Sequence, residues 1–255
     1  MDDTKRVREV VGALLFYGRA VDSSILKALG TIASQQAKGT QATLKAVTKL
    51  LNYCACNPNT TIRYIASDML LHIDSDASYL SESKSRSTAA GYHYLSNKPS
   101  KSHPNPPLNG AILVLCQILK EIVASASEAE LAALFHNCRE ACPIRVTLEE
   151  LGHNQPATAV KTDNITAEGI VNDTVKQKRS KAIDMRFYWV RCRVRQGQFK
   201  VYWAPGKNNE GDYFSKHFPD SHHQEQRPKF YYEPDAKGNY YSCLTAETVP
   251  TTGLV

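Results

Sequence analysis

The stretch Met69-Leu70-Leu71-His72-Ile73-Asp74-Ser75-Asp76 is predicted to form a β-strand. Its continuous apolar run changes to an alternating pattern and ends in acids, which is typical of a buried strand that carries carboxylates at its tip. A Ser- and Lys-rich turn at 81–88 leads to a second short apolar stretch at 91–95. The two strands are therefore predicted to form a hairpin.

The rest of this region alternates between strand-like and helical patterns. Strands are predicted at 110–122, 157–161 and 198–203, and helices at 125–141, 143–152, 181–194 and 212–217. Ser125 and Glu128 form a capping box at the start of the first of these helices. Pro143 suits the first turn of a new helix, so a break is expected before it. This order predicts a mixed sheet with helices packed on it.

Three amphipathic helical patterns precede the sheet, between Val7 and Cys56, and Asn57-Pro58-Asn59 breaks the last of them. After Pro219 the sequence is polar and Tyr-rich without a periodic pattern. We therefore expect a helical region at 1–66, a sheet domain at 67–219 and a flexible tail at 220–255.

The composition sets wide limits on function. The chain has 255 residues and a formal net charge of +6, which permits polyanion binding without requiring it. No apolar run approaches a membrane span, and the acidic start Met1-Asp2-Asp3 is unlike a secretory signal, so an intracellular protein without membrane contact is expected. The 7 cysteines have no regular spacing, which argues against a disulfide framework and against zinc.

Four acids recur at strand ends or in the first turns of helices: Asp76, Glu130, Asp163 and Asp212. Mg²⁺ prefers hard oxygen ligands, and two ions about 3.5–4 Å apart stabilise the attacking and leaving oxygens of a phosphodiester displacement. A solvated helix cap is the alternative for any one of these acids. Asp74 lies on the same strand face as Asp76 and is an alternative to it, as a nearby supporting group.

The segments around these acids resemble, in the same order, the four acidic motifs of ribonuclease H domains from copia-type retrotransposon polyproteins: Ser75-Asp76-Ala77-Ser78, Ala129-Glu130-Leu131, Thr162-Asp163-Asn164 and Gly211-Asp212-Tyr213-Phe214-Ser215-Lys216. Residues 86–92 and 181–186 resemble two further segments of the family. Residues 11–63 are similar to the helical region that follows the reverse transcriptase palm. The resemblance extends from residue 7 to about residue 219.

The resemblance implies an α/β fold, with a five-stranded ribonuclease-H-like mixed sheet and helices on both faces. It also implies hydrolysis of the RNA strand of RNA–DNA hybrids with two Mg²⁺ ions, Mn²⁺ being an alternative. Asp76, Glu130, Asp163 and Asp212 are then the catalytic, metal-binding carboxylates. The implied partners are the hybrid and the rest of the polyprotein.

Two departures from the family pattern matter. The Tyr-x-Asp-Asp strand of the polymerase palm is missing, so polymerase activity is not expected of this chain. Ala182 stands at the family's usual His position, and no His lies between Asp163 and Asp212, so turnover is expected to be slow.

A basic stretch at 176–195 contains the predicted nucleic-acid contacts Lys178, Arg179, Lys181 and Arg186. Cations of this kind track phosphates without reading sequence. A solvated helix face is the alternative. Asn164, next to the third acid, is either a nucleic-acid contact or a local turn former.

Two other functions fit parts of the pattern. A non-catalytic, transposon-derived nucleic-acid-binding remnant would explain the missing palm, although the intact acids argue against it. An integrase-like strand transferase would end its acidic set with Glu, whereas this chain ends with Asp212.

Overall fold

A computed structural model of the protein describes residues 3–98, 106–175, 184–234 and 240–241. Its first part is a helical unit made of α1 (Asp3–Ala20), α2 (Leu26–Gln35) and α3 (Gln41–Cys56). The core of this unit consists of apolar residues that lie within the three predicted helical patterns: Val7, Val11, Ile25, Leu29, Ile32, Val47 and Leu50. The helices thus lie where the apolar periodicity predicts them.

A five-stranded sheet in the order β3-β2-β1-β4-β5 forms the centre of the fold. Its strands are β1 (Leu70–Glu82), β2 (Arg86–Ser96), β3 (Ala111–Ile118), β4 (Thr158–Thr162) and β5 (Phe199–Trp203). The first three strands pair antiparallel, whereas β4 is parallel to both β1 and β5. The predicted mixed, five-stranded sheet is confirmed. The parallel pairing brings the end of β4 beside the acidic part of β1.

Helices cover both faces of the sheet: α4 (Ala126–Glu150), α5 (Ile165–Val171), α6 (Asp184–Arg195), α7 (Asp212–Ser215) and α8 (Asp220–Phe230). Ile73 and Ala89 belong to a core with α4, α5 and α6. Ala90 and Tyr92 belong to a second core, with α7, α8 and Leu26 of α2. Successive strand residues point to opposite faces, which is why Ala89 and Ala90 lie in different cores. The second core also joins the helical unit to the sheet.

The helix α4 is continuous, so the predicted break before Pro143 is wrong. A proline inside a helix removes one main-chain hydrogen bond and crowds the preceding turn. Buried side chains nevertheless continue on both sides of it: Cys138, Ala141, Arg145 and Leu148. Nη1 of Arg145 donates to Oγ1 of Thr158 on β4 at 2.6 Å. Packing of both halves against the sheet therefore offsets the local cost of the proline.

The helix α8 corrects the expectation of a flexible tail from residue 220 onwards. Nη1 of Arg227 donates to Oδ2 of Asp22 at 2.8 Å, and the two side chains are 4% and 0% exposed. Phe230 is buried as well. Two short strands follow, β6 (Glu233–Pro234) and β7 (Tyr240–Tyr241), while 235–239 and 242–255 lie outside the described residues. The polar composition of this segment gives no sequence signal for a buried helix, because the helix contacts the rest of the protein mainly through a charged side chain, that of Arg227.

Among the described helices, none combines the length and the apolar character needed to cross a membrane.

Candidate metal centre

Three of the four predicted acids meet at one end of the sheet. Asp76 lies on β1, Glu130 on α4 and Asp163 directly after β4, and one carboxylate oxygen of each lies within 4.8 Å of the other two. The parallel register, which sets Asp74 opposite Lys161, brings the two strand ends together. Three hard oxygen donors at this spacing fit a divalent cation such as Mg²⁺. We call these three residues the carboxylate cluster.

Two hydrogen bonds hold Glu130 towards the sheet. Its Oε1 accepts the backbone N–H of Ala77 at 2.9 Å, and its Oε2 accepts the hydroxyl of Thr162 at 3.2 Å. The predicted N-cap of α4 is present, because Oγ of Ser125 accepts the N–H of Glu128 at 3.2 Å. The cap fixes where the helix starts, and Glu130 consequently falls in its second turn, facing β1.

Asp163 lies between β4 and α5, against the loop that follows β5. A Cβ atom at Gly206 would lie 2.8 Å from Oδ2 of Asp163, so only a glycine lets this loop approach the carboxylate so closely. Nε1 of Trp203 donates to the backbone carbonyl of Asp163 at 2.9 Å. Oδ1 of Asn164 accepts the N–H of Ala167 at 2.9 Å and thereby caps α5. The structure thus gives Asn164 a local capping role.

The fourth predicted acid, Asp212, begins α7 and lies outside the carboxylate cluster. Its carboxylate forms an ion pair with Lys216, one helical turn later. Oγ of Ser215, on the same helix, donates to Oδ2 of Asp76 at 2.5 Å. The short helix α7 is therefore fastened directly to the cluster through Ser215, while the charge of Asp212 is balanced by an ammonium group.

Burial raises the pKa of every member of the cluster. It raises the pKa of Asp76 to about 6, and the charges of Asp212 and Asp163 add to the rise. Burial raises the pKa of Glu130 well above its usual range, with Asp76 and Asp163 adding to it. Burial also raises the pKa of Asp163, and Asp212 again contributes. Carboxylates crowded together away from water favour either protonation or a bound cation.

Asp74, the alternative to Asp76, has a different partner. Its Oδ2 accepts a hydrogen bond from Nζ of Lys161 at 2.7 Å, and the side chains are 2% and 13% exposed. The structure therefore groups Asp76, and not Asp74, with Glu130 and Asp163.

The predicted nucleic-acid contacts are only partly described. Three of them lie outside the described residues: Lys178, Arg179 and Lys181. Arg186 forms an ion pair with Glu121. Further along α6, Arg191 and Arg195 both pair with Asp173, at 2.7 and 2.6 Å. Acidic neighbours thus balance part of the basic charge in this region, and phosphate binding stays a prediction.

The sequence analysis assigned no role to several residues around the cluster: Thr162, Ser215, Lys216, Lys161 and Asn209. The four-residue spacing of Asp212 and Lys216 is the ion-pair spacing of a helix, so this pair was recognisable from the sequence. Asn209 carries no local signal. Its Nδ2 donates to the carbonyl of Ser75 at 2.8 Å, across 134 positions of the chain.

No protein-family model matches the chain. A curated relative does: the chain is 24% identical over 209 residues to the retrovirus-related Pol polyprotein from transposon TNT 1-94 of Nicotiana tabacum. The match covers 82% of this chain and 15% of the polyprotein, so the chain spans a small segment of that relative.

Solved structures with the same fold include the foamy viral protease-reverse transcriptase in complex with an RNA/DNA hybrid. It is 15% identical, and the match covers 85% of this chain and 25% of that chain with a TM-score of 0.50. An RNase H1 isolated from compost by a metagenomic approach is 12% identical, over 57% of this chain and 92% of its own, with a TM-score of 0.42. The N-terminal RNase H domain of a Mycobacterium tuberculosis protein is 15% identical, over 58% of this chain and 91% of its own, with a TM-score of 0.38.

These findings confirm the resemblance to a retrotransposon polyprotein and the fold that the sequence predicts. The chain has a ribonuclease-H-like α/β fold and is similar to the ribonuclease H region of a retrotransposon polyprotein.

Proposed function

We propose that the chain is an endoribonuclease that hydrolyses the RNA strand of RNA–DNA hybrids, within the reverse transcriptase and ribonuclease H part of a copia-type retrotransposon. The observation that carries the proposal is the convergence of Asp76, Glu130 and Asp163, with ligand atoms within 4.8 Å of one another, on a ribonuclease-H-like sheet. Buried carboxylates that lie close together lower the stability of the folded state unless a cation or protons neutralise their charge. Such an arrangement is characteristic of functional sites.

Two Mg²⁺ ions are the proposed cofactor, with Mn²⁺ as the alternative. Asp76, Glu130, Asp163 and Asp212 would hold them. When bound, such ions generate a nucleophile from water and stabilise the attacking and leaving oxygens of the displacement.

The other residues of the site hold the donor oxygens in place. The backbone N–H of Ala77 and the hydroxyl of Thr162 fix the two oxygens of Glu130. The hydroxyl of Ser215 fixes Asp76. Donors that are already oriented need little rearrangement during the reaction, which favours turnover.

An RNA–DNA hybrid is the proposed substrate. The foamy viral protein of similar fold is described as a complex with such a hybrid. In this chain the proposed contacts are Lys178, Arg179, Lys181, Arg186 and Asn164. Contacts to phosphates position a duplex without reading its sequence, and 2′-hydroxyl groups distinguish RNA from DNA. We propose no polymerase activity for this chain, because its sequence carries no Tyr-x-Asp-Asp motif.

Cleavage of a labelled hybrid in Mg²⁺ tests the proposal. We expect the RNA strand to be cut in the hybrid, and Asp163→Asn to lose nearly all activity. Asp220→Asn is the matched control, because it removes the same charge from an acid on α8 whose side chain is 78% exposed. Full activity of Asp163→Asn would overturn the proposal.

The same experiment decides the non-catalytic alternative. A remnant would bind the hybrid in a salt-sensitive manner, because phosphate contacts release counterions. Binding of this kind without cleavage in either Mg²⁺ or Mn²⁺ would favour the remnant over the enzyme.

A further inference from the structure

Asp74 and Lys161 form a largely buried ion pair next to the carboxylate cluster. The two residues face each other across the parallel strands β1 and β4, with Oδ2 and Nζ 2.7 Å apart. The free-energy cost of removing two charges from water offsets much of the attraction between them. An ion pair of this kind therefore contributes little to the stability of the fold. Its position beside three metal-ligand candidates suggests another use.

Both members of the pair also hold the loop that connects β5 to α7. Nζ of Lys161 donates to the carbonyl of Asn208 at 2.9 Å. Oδ2 of Asp74 accepts the backbone N–H of Glu210 at 3.3 Å. The ion pair thus contacts the main chain of this loop, residues 206–211, at two points.

Asn209 fastens the same loop to β1. Its Nδ2 lies 2.8 Å from the carbonyl oxygen of Ser75 and 3.4 Å from Oδ1 of Asp76, and its Oδ1 accepts the N–H of Gly211 at 3.2 Å. A Cβ atom at Gly211 would lie 2.8 Å from the carbonyl oxygen of Asp74. The loop therefore lies directly on the strand that carries Asp76.

The helix α7 begins at Asp212, immediately after this loop, and Ser215 on that helix donates to Asp76. We propose that Asp74 and Lys161 are positioning residues, whose ion pair fixes the 206–211 loop on β1 and so places Asp212 and Ser215 relative to Asp76. This inference rests on the proposed nuclease function. It assigns neither residue to the reacting atoms.

Three variants test it: Asp74→Asn, Lys161→Met and the double variant. We expect kcat on the hybrid to fall by about 10- to 100-fold in each single variant, as is usual for residues that orient metal ligands, while KM is unchanged. The double variant should lose no more than a single one, because both changes break one interaction. Lys161→Arg should recover part of kcat.

Calorimetric titration with Mn²⁺ separates positioning from direct ligation. If the pair positions the loop, both single variants weaken Mn²⁺ binding by a similar factor, because each one displaces Asp212 and Ser215. If Asp74 is itself a ligand, Asp74→Asn weakens binding and Lys161→Met strengthens it, and the inference is wrong. Asp22→Asn is the control for general destabilisation, because it breaks the buried pair with Arg227, which joins the helical unit to α8.

The possible failures are distinguishable. If the wild type cleaves the hybrid and both single variants have the same kcat as the wild type, the inference is overturned and the nuclease function is left intact. If the wild type does not cleave the hybrid, the proposed nuclease function is wrong. The positioning of the loop is then tested by amide hydrogen exchange. Faster exchange of the Glu210 and Gly211 amides in both variants supports a held loop, whereas unchanged exchange refutes it.

Discussion

Oγ of Ser215 on α7 donates a hydrogen bond of 2.5 Å to Oδ2 of Asp76 on β1, and both side chains are buried. Burial raises the pKa of Asp76 to about 6, and this hydrogen bond opposes the rise because it stabilises the ionised carboxylate. A single hydroxyl contact therefore helps to set the pH at which the Asp76 carboxyl group loses its proton and becomes able to bind a cation.

Ser215→Ala should raise the pKa of Asp76 further and shift the acidic limb of the pH–rate profile to higher pH. The profile of kcat for hybrid cleavage measures this shift. Ser34→Ala is the control, because the hydroxyl of Ser34 bonds only to the carbonyl of Thr31 among the contacts that the structure describes. An acidic limb that does not move in Ser215→Ala would contradict the prediction.

The metal-free protein should lose stability as pH rises through the pKa of the cluster. Asp76 has a higher pKa in the folded state than the ordinary value of 3.8, so the stability that its protonated form provides is lost between 3.8 and about 6. The amide side chain of the Asp76→Asn variant stays uncharged over this pH range. Its Tm in EDTA should consequently exceed that of the wild type by an increasing margin over this range, and saturating Mg²⁺ should restore the wild-type Tm. A constant difference in Tm would contradict the assignment.

Lys216→Met should strengthen metal binding at neutral pH. The ammonium group of Lys216 pairs with Asp212, and its removal leaves that carboxylate available and the centre more negative. We expect an increase in Mn²⁺ affinity of about tenfold, equivalent to about 1.4 kcal/mol of electrostatic free energy. Lys49→Met is the control, since it changes the net charge equally at a side chain that is 78% exposed. Equal affinities in wild type and Lys216→Met would show that Lys216 does not compete with the metal.

Arg227→Met should destabilise the protein by about 3–5 kcal/mol, because it leaves the carboxylate of Asp22 buried without its guanidinium partner. Denaturant titration gives this free energy of unfolding. The double variant Asp22→Asn/Arg227→Met should recover part of the loss.

A chain that ends at Pro219 should be destabilised at least as much, since it lacks the whole of α8. Wild-type stability of that shortened chain would support a dispensable tail instead.

The sheet was predictable from local patterns, whereas the cluster was expected from the family resemblance, and three of the four expected acids meet in it. The alternation around Ile73 and the acids that follow it are visible in a few consecutive residues, and so is the cap at Ser125. The continuity of α4 was not predictable from the residues next to Pro143, because contacts with distant strands support the helix beyond it, such as that of Arg145 with Thr158. The supporting residues of the site were hidden for the same reason. Lys161 is 87 positions from Asp74, and no short-range pattern records such a pairing.

The ion pair between Asp22 and Arg227 also has a consequence for the timing of synthesis. The two residues are 205 positions apart. At about 5–20 residues per second, a ribosome needs about 10–40 seconds to cover this distance. Throughout that interval the carboxylate of Asp22 lacks its guanidinium partner. Residues 3–56 thus leave the ribosome well before α8 does, and they reach their final packing only after α8 has been made.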